Sequence, residues 1–230
     1  MLTQSLNTSI SSTKVAPVPF TKPDQFCGLT GHAGLVASEF SYRKDEEIYG
    51  EGELAEYVYQ VIRGAVRTYK LLSDGRRQIG AFLLPGDVFG LESSTSHRLA
   101  AEAVIDTTVR LVKRNSLEQA AGIDVQVARK LWGITAGELG HAENHMLLLG
   151  RKNAVEKIAT FLLDLSRRTA KNDQIDLPMS RTDIADHLGL TIETVSRSLT
   201  QLERQGVIEL PAHRRFIVLR NKPALERLDM

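Results

Sequence analysis

Within Ser180–Thr200, Ala185 stands four residues before Gly189, and Val195 stands six after it. Few foldings accept that spacing. A small residue is needed where two helices cross closely, and a glycine where the chain turns with φ > 0. An apolar plug must then seat the second helix on the first, so the segment predicts a helix-turn-helix. Ser180, with Asp183 three residues on, caps the first helix. Thr191 caps the second, Leu199 and Leu202 continue its buried face, and Gly206 stops it. Ile192, Glu193, Ser196 and Arg197 then share the face opposite Val195 and Leu199. Arginine can fork onto guanine O6 and N7, and glutamate can accept from cytosine N4. Ser180, Thr191, Thr194 and Ser198 suit phosphate contacts. A solvated αα-hairpin with a Glu193–Arg197 pair is the plainer alternative, but the full pattern points to double-stranded DNA. Val207–Leu210 and Phe216–Leu219 read as a hairpin whose His213-Arg214-Arg215 turn brings Arg214 and Arg215 to the DNA backbone.

Upstream, the chain changes period once. Tyr57–Ile62 and Ala65–Tyr69 are β-branched and aromatic, and Asp74-Gly75 between Leu71-Leu72 and Gln78-Ile79 signals a hairpin. Gly50, Gly52, Gly64, Gly80, Gly86 and Gly90 punctuate the same stretch, which predicts a jelly-roll barrel. From Val125 to Gly150 apolar and small residues step by four and three: Ala128, Trp132, Thr135, Leu139, Ala142, Met146 and Leu149. That is a heptad seam, and its small members favour close approach by the same helix of a second copy over burial inside one subunit. A flanking stripe, Val127, Leu131 and Ile134, is placed against the barrel. Arg151–Ala154 opens a further helix faced by Val155, Ile158, Ala159, Leu162 and Leu163, and Arg167–Asp176 reads as a loop. The fold class is thus α+β. Residues 1–28 form a flexible arm, 29–120 a sensor-like barrel, 121–150 a dimerisation helix and 151–230 a winged helix-turn-helix domain.

Charge supports this division weakly. Residues 1–150 carry 15 basic and 17 acidic side chains, and residues 151–230 carry 14 and 11, so the sign turns positive where the DNA-reading part begins. One cysteine, Cys27, excludes an intramolecular disulfide framework and fits a reducing cytoplasm. No run of about 18 apolar residues predicts a membrane span, and Met1–Pro23 has no apolar core of a signal peptide. The barrel region holds His32 and His97 alone, too few for a cupin metal site, and no nucleophile–base motif, P-loop or dinucleotide fingerprint occurs. An enzyme is rejected, and no cofactor is expected. His141 and His145, at i and i+4, leave a haem- or small-molecule-responsive regulator as the alternative.

Over nearly its whole length the chain resembles the cyclic-AMP receptor protein and fumarate–nitrate regulator superfamily. The barrel with Pro85-Gly86-Asp87-Val88-Phe89-Gly90, the long helix and the winged helix-turn-helix come in that order. Glu193-x-x-Ser196-Arg197 looks like the fumarate–nitrate branch, which reads TTGA half-sites in an inverted repeat. The resemblance implies that Arg197 contacts guanine, Glu193 the partner-strand bases and Ser196 thymine. Ile192 replaces the second base-reading arginine of the cyclic-AMP branch. Gly90 is followed by Leu91, with Glu92 one place late, and His97-Arg98 stand where that branch has an Arg-Ser pair, so the phosphate cassette is broken and a solvated loop is expected. The oxygen-sensing branch needs four cysteines, and this chain has one. What remains resembles the FixK-type regulators: a cytoplasmic homodimeric activator, working with RNA polymerase on low-oxygen or nitrogen-fixation genes, without iron–sulfur cluster or cyclic nucleotide.

Overall fold

A computed structural model of the chain describes residues 35–169, 173–211 and 216–229. The arm 1–28, Cys27, Arg214 and Arg215 lie outside the described residues. Eight strands build the first half: β1 Ala37–Tyr42, β2 Glu47–Tyr49, β3 Tyr57–Arg63, β4 Val66–Leu71, β5 Arg77–Leu83, β6 Val88–Phe89, β7 Ala100–Ala103 and β8 Thr107–Lys113. They form two antiparallel sheets of order β1-β8-β3-β6 and β2-β7-β4-β5. Alternation in β3 sends Tyr59 and Val61 into the space between the sheets, where Tyr49, Val66, Leu83, Phe89, Ala101 and Val109 meet them. The β4–β5 hairpin turns on Asp74-Gly75 as expected, with Gly75 at φ +84°. Gly90 is required sterically as well: at φ +78°, a Cβ there would stand 2.8 Å from Tyr59 Cδ2.

The helices are α1 Arg114–Ile123, α2 Val125–Arg151, α3 Ala154–Thr169, α4 Arg181–Leu188, α5 Ile192–Arg204 and α6 Lys222–Asp229. The inner stripe of α2 meets the barrel. Val127 is buried and Leu131 and Ile134 lean on the barrel through Val58, Val88, Val112 and the α1 residues Leu117 and Ala120. Arg151 ends α2 rather than opening α3, because Asn153 starts the new helix. Its side-chain oxygen accepts from the N–H groups of Val155 and Glu156 at 3.0 and 3.1 Å, and the Glu156 carboxylate accepts from the Asn153 N–H at 2.8 Å. The stretch Arg167–Asp176 is not all loop: α3 runs to Thr169, and β9 Gln174–Asp176 pairs with β11 Phe216–Leu219, which also pairs with β10 Ile208–Glu209. One core joins both halves. Ile79, Phe82 and Leu84 of the barrel pack in one cluster with Ile158, Phe161, Leu162, Ile184, Leu188 and Leu199.

Candidate nucleic-acid interface

Helix α4 begins in a reciprocal cap. The Ser180 hydroxyl accepts from the Asp183 N–H at 3.1 Å, while an Asp183 carboxylate oxygen accepts from the Ser180 N–H at 3.0 Å. It ends on Gly189, which is left-handed at φ 61°, ψ 44° and donates to the Ala185 carbonyl. Thr191 then accepts from the Thr194 N–H at 3.3 Å and starts α5. Ala185 and Val195 are both buried at the crossing, and Leu199 and Leu202 extend that contact. The recognition geometry is therefore fixed by local capping at three of its four helix ends and by one small-to-branched contact.

On the outer face of α5, Ile192, Glu193 and Arg197 are exposed and Ser196 is half-buried beside them. Arg197 lies along the helix with Nη2 3.4 Å from the Thr194 hydroxyl. The Glu193 carboxyl is held below its ordinary value by hydrogen bonds from its own N–H and from Thr191, with Arg197 adding attraction. It thus stands ionised, as an acceptor for a cytosine amino group must be. Ser180 and Thr191 are exposed and Thr194 is half-buried. Ser198 departs from the expectation of a phosphate contact: it is 4% exposed, because it follows Val195 by three residues and turns with it toward α4. Sequence reasoning also passed over Arg181. As the first residue of α4 it reaches across to the Ser196 hydroxyl at 3.2 Å and brings a cation to the reading face. Its position just after the cap was the signal available.

Along α2, Trp132, Leu139 and Met146 are 76%, 61% and 67% exposed, and Thr135 and Ala142 are exposed between them. Leu149 is different. It leans on the chain's own core, 3.6 Å from where a Cβ of Gly189 would lie. The two histidines at i and i+4 also part company. His141 is exposed, whereas His145 turns inward and stacks on His187 of α4 with ring centroids 4.2 Å apart. His187 donates from Nδ1 to the Ile79 carbonyl at 3.1 Å and meets Phe82 and Phe161.

In the barrel, the 97–98 segment is only half the solvated loop expected. Arg98 is exposed and paired with Glu92 at 3.3 Å. His97 is 2% exposed and stacks on Tyr49 at 3.6 Å, with Nδ1 3.7 Å from Glu92. Burial lowers the His97 pKa against the pull of Glu92, so a neutral ring joins Tyr49, Tyr59 and Phe89 in filling the interior. No helix among the described residues is long and apolar enough to cross a membrane.

Two family models match. Residues 156–228 fit a Crp-like helix-turn-helix domain and residues 39–123 a cyclic nucleotide-binding domain. The nitrogen fixation regulation protein FixK of Azorhizobium caulinodans is 51% identical over 220 residues, covering 94% of this chain and 86% of that protein. FixK of Rhizobium meliloti is 42% identical over 202 residues, covering 88% and 86%. The solved structure of FixK2 from Bradyrhizobium japonicum is 72% identical, with a TM-score of 0.82, and covers 85% of this chain and 98% of its own.

Proposed function

We propose that this chain, which belongs to the FixK-type regulators of the cyclic-AMP receptor and fumarate–nitrate regulator superfamily, reads TTGA inverted repeats as a homodimer and activates transcription there. It is a DNA-binding transcription regulator of the FixK and fumarate–nitrate type. Its relatives are named for nitrogen fixation regulation and transcriptional activation, and control of such genes in the cytoplasm, through RNA polymerase, is the corresponding role here. On this reading residues 29–120 are a sensor-like barrel, 121–150 the dimerisation helix and 151–230 the DNA-reading part.

The observation that carries the base-reading assignment is the free face of α5. Glu193, Ser196 and Arg197 project together from a helix whose other side packs against α3 and α4. Arg197 takes the guanine, Glu193 the opposite-strand cytosine and Ser196 thymine, with Ile192 adding apolar contact. Ser180, Thr191, Thr194, Arg214 and Arg215 take the backbone; Ser198 drops out because it is buried. Dimerisation uses Trp132, Thr135, Leu139, Ala142 and Met146, whose exposure on one helix face is what a second copy would remove. Leu149 drops out because it packs inward.

Fluorescence anisotropy with a TTGA inverted repeat and a guanine-substituted version tests the reading. Arg197→Ala should cost roughly 1–3 kcal/mol per half-site on the true repeat and much less on the substituted one. Equal losses on both would remove direct guanine readout by Arg197.

A further inference from the structure

A buried and a half-buried arginine of the barrel converge on the first helix of the helix-turn-helix. Arg67 on β4 is 6% exposed, and its guanidinium meets Asp45, Glu102 and Asp183. Arg77 on β5 donates to Asp183 Oδ1 at 2.6 Å and to Asp186 Oδ2 at 2.9 Å. Asp183 is therefore shared. Its Oδ2 closes the cap of α4 through Ser180, while its Oδ1 takes both barrel arginines, Arg67 at 3.2 Å. Beside this cluster β5 holds the far end of α4, with the Gln78 amide donating to the His187 carbonyl at 3.2 Å and His187 Nδ1 3.1 Å from the Ile79 carbonyl. From α3, Lys157 donates to the Leu188 carbonyl at 3.0 Å, and Arg168 donates to the Phe82 carbonyl and pairs with Asp87. Helix α4 is thus gripped along its length by the barrel. The reading face of α5 points elsewhere and stays uncovered.

We infer that Arg67 and Arg77 are positioning residues for DNA reading, holding α4 through Asp183 and Asp186 so that the recognition helix stands reading-ready without a ligand. The inference rests on the DNA reading proposed above. Three observations support it. The Arg67–Asp183 pair is buried, so opening it would leave a charge stranded away from water, and the half-buried Arg77–Asp186 pair adds a second contact beside it. The barrel interior, where an effector would sit, is occupied by Tyr49, Tyr59, Phe89 and His97. And the docked orientation leaves Glu193 and Arg197 exposed, so docking does not oppose reading.

A positioning role predicts a loss confined to DNA that needs two correctly placed subunits. The test takes the full chain with Arg77→Met, with Asp186→Asn and with both, measured on the inverted repeat and on a duplex carrying one half-site. Each single variant is expected to bind the repeat about tenfold more weakly, the double variant no worse than the singles, and the single half-site within twofold of the parent chain. Amide exchange of α4 without DNA should quicken in all three variants by more than exchange of α3 and the barrel strands does. Equal losses on repeat and half-site would mean general damage and overturn the inference, as would unchanged repeat affinity or unchanged α4 exchange. Arg67→Met is the harsher arm; if it does not fold, the Arg77 and Asp186 pair still decides. A parent chain that ignores the TTGA repeat would refute the base-reading assignment, while the exchange measurement would still judge the grip.

Discussion

At the scale of single residues, the least exposed decisions are made by histidine. Burial pushes His187 down to about 3, with His145 and Arg168 adding repulsion and the Ile79 carbonyl opposing them. Burial likewise lowers His145, and Lys157 adds to it. In the unfolded chain both rings return to ordinary values near 6.5, so between pH 6.5 and 3 the unfolded state binds more protons. Their contribution is therefore complete above about pH 6.5 and is lost progressively as the pH falls. The joint between α2, α4 and the barrel should loosen in that window, before the lowered carboxyls of Asp183 and Asp229 protonate. His187→Phe keeps a ring against Phe82 and Phe161 and removes the proton site. It gives up the contact to Ile79, so it should melt lower at pH 7.5, by about 1 kcal/mol, yet show a shallower fall toward pH 5. Melting curves for parent and variant that run parallel from pH 7.5 to 5 would mean that His187 is not the titrating group.

At the scale of elements, α2 is a helix with two employments. Its inner stripe is satisfied by α1 and the barrel, and its outer stripe, Trp132, Leu139 and Met146, faces solvent in the single chain. Leu139→Glu with Met146→Glu would place like charges across a twofold seam, where desolvating carboxylates costs several kcal/mol. The expected outcome by sedimentation is a folded monomer that has lost affinity for the inverted repeat; a persistent dimer would move the interface elsewhere. What was readable in the sequence follows the range of the forces. The β4–β5 turn, the heptad stepping and the caps of α4 and α5 are local, and each showed as a residue at a fixed offset. Helix α1 starts without a side-chain cap, and β9 is three residues made a strand only by pairing with β11, so both were missed. The site split the same way. Glu193, Ser196 and Arg197 were legible from helical spacing. The burial of Ser198 was equally available from its spacing to Val195, whereas the inward turn of Leu149 and the Arg67–Asp183 contact depend on what packs from more distant parts of the chain, which no local window contains.

At the scale of the whole molecule, the question is what sets the distance between two reading helices. The barrel offers a cyclic nucleotide little room, since Tyr49, Tyr59, Phe89 and His97 stack within it and Glu92 is engaged by Arg98. Cyclic AMP should therefore change repeat affinity by less than about twofold, well under the 1–3 kcal/mol typical of allosteric coupling; a clear tightening in a gel-shift titration would restore an effector role. On the proposed reading, the two subunits present their helices at a separation set by the α2 seam and the grip on α4. Twofold-related helices in successive major grooves need half-sites about one turn apart, roughly 34 Å. Inserting five base pairs between the TTGA elements turns one of them by about half a turn and moves it roughly 17 Å along the axis. Neither a packed helical seam nor a buried ion cluster can follow that displacement without breaking. Affinity for the spaced duplex should fall to that of a single half-site, read by the same anisotropy assay. Retention of full affinity would show that the two reading domains move independently, and both the dimer seam and the barrel's hold on α4 would then have to be given up.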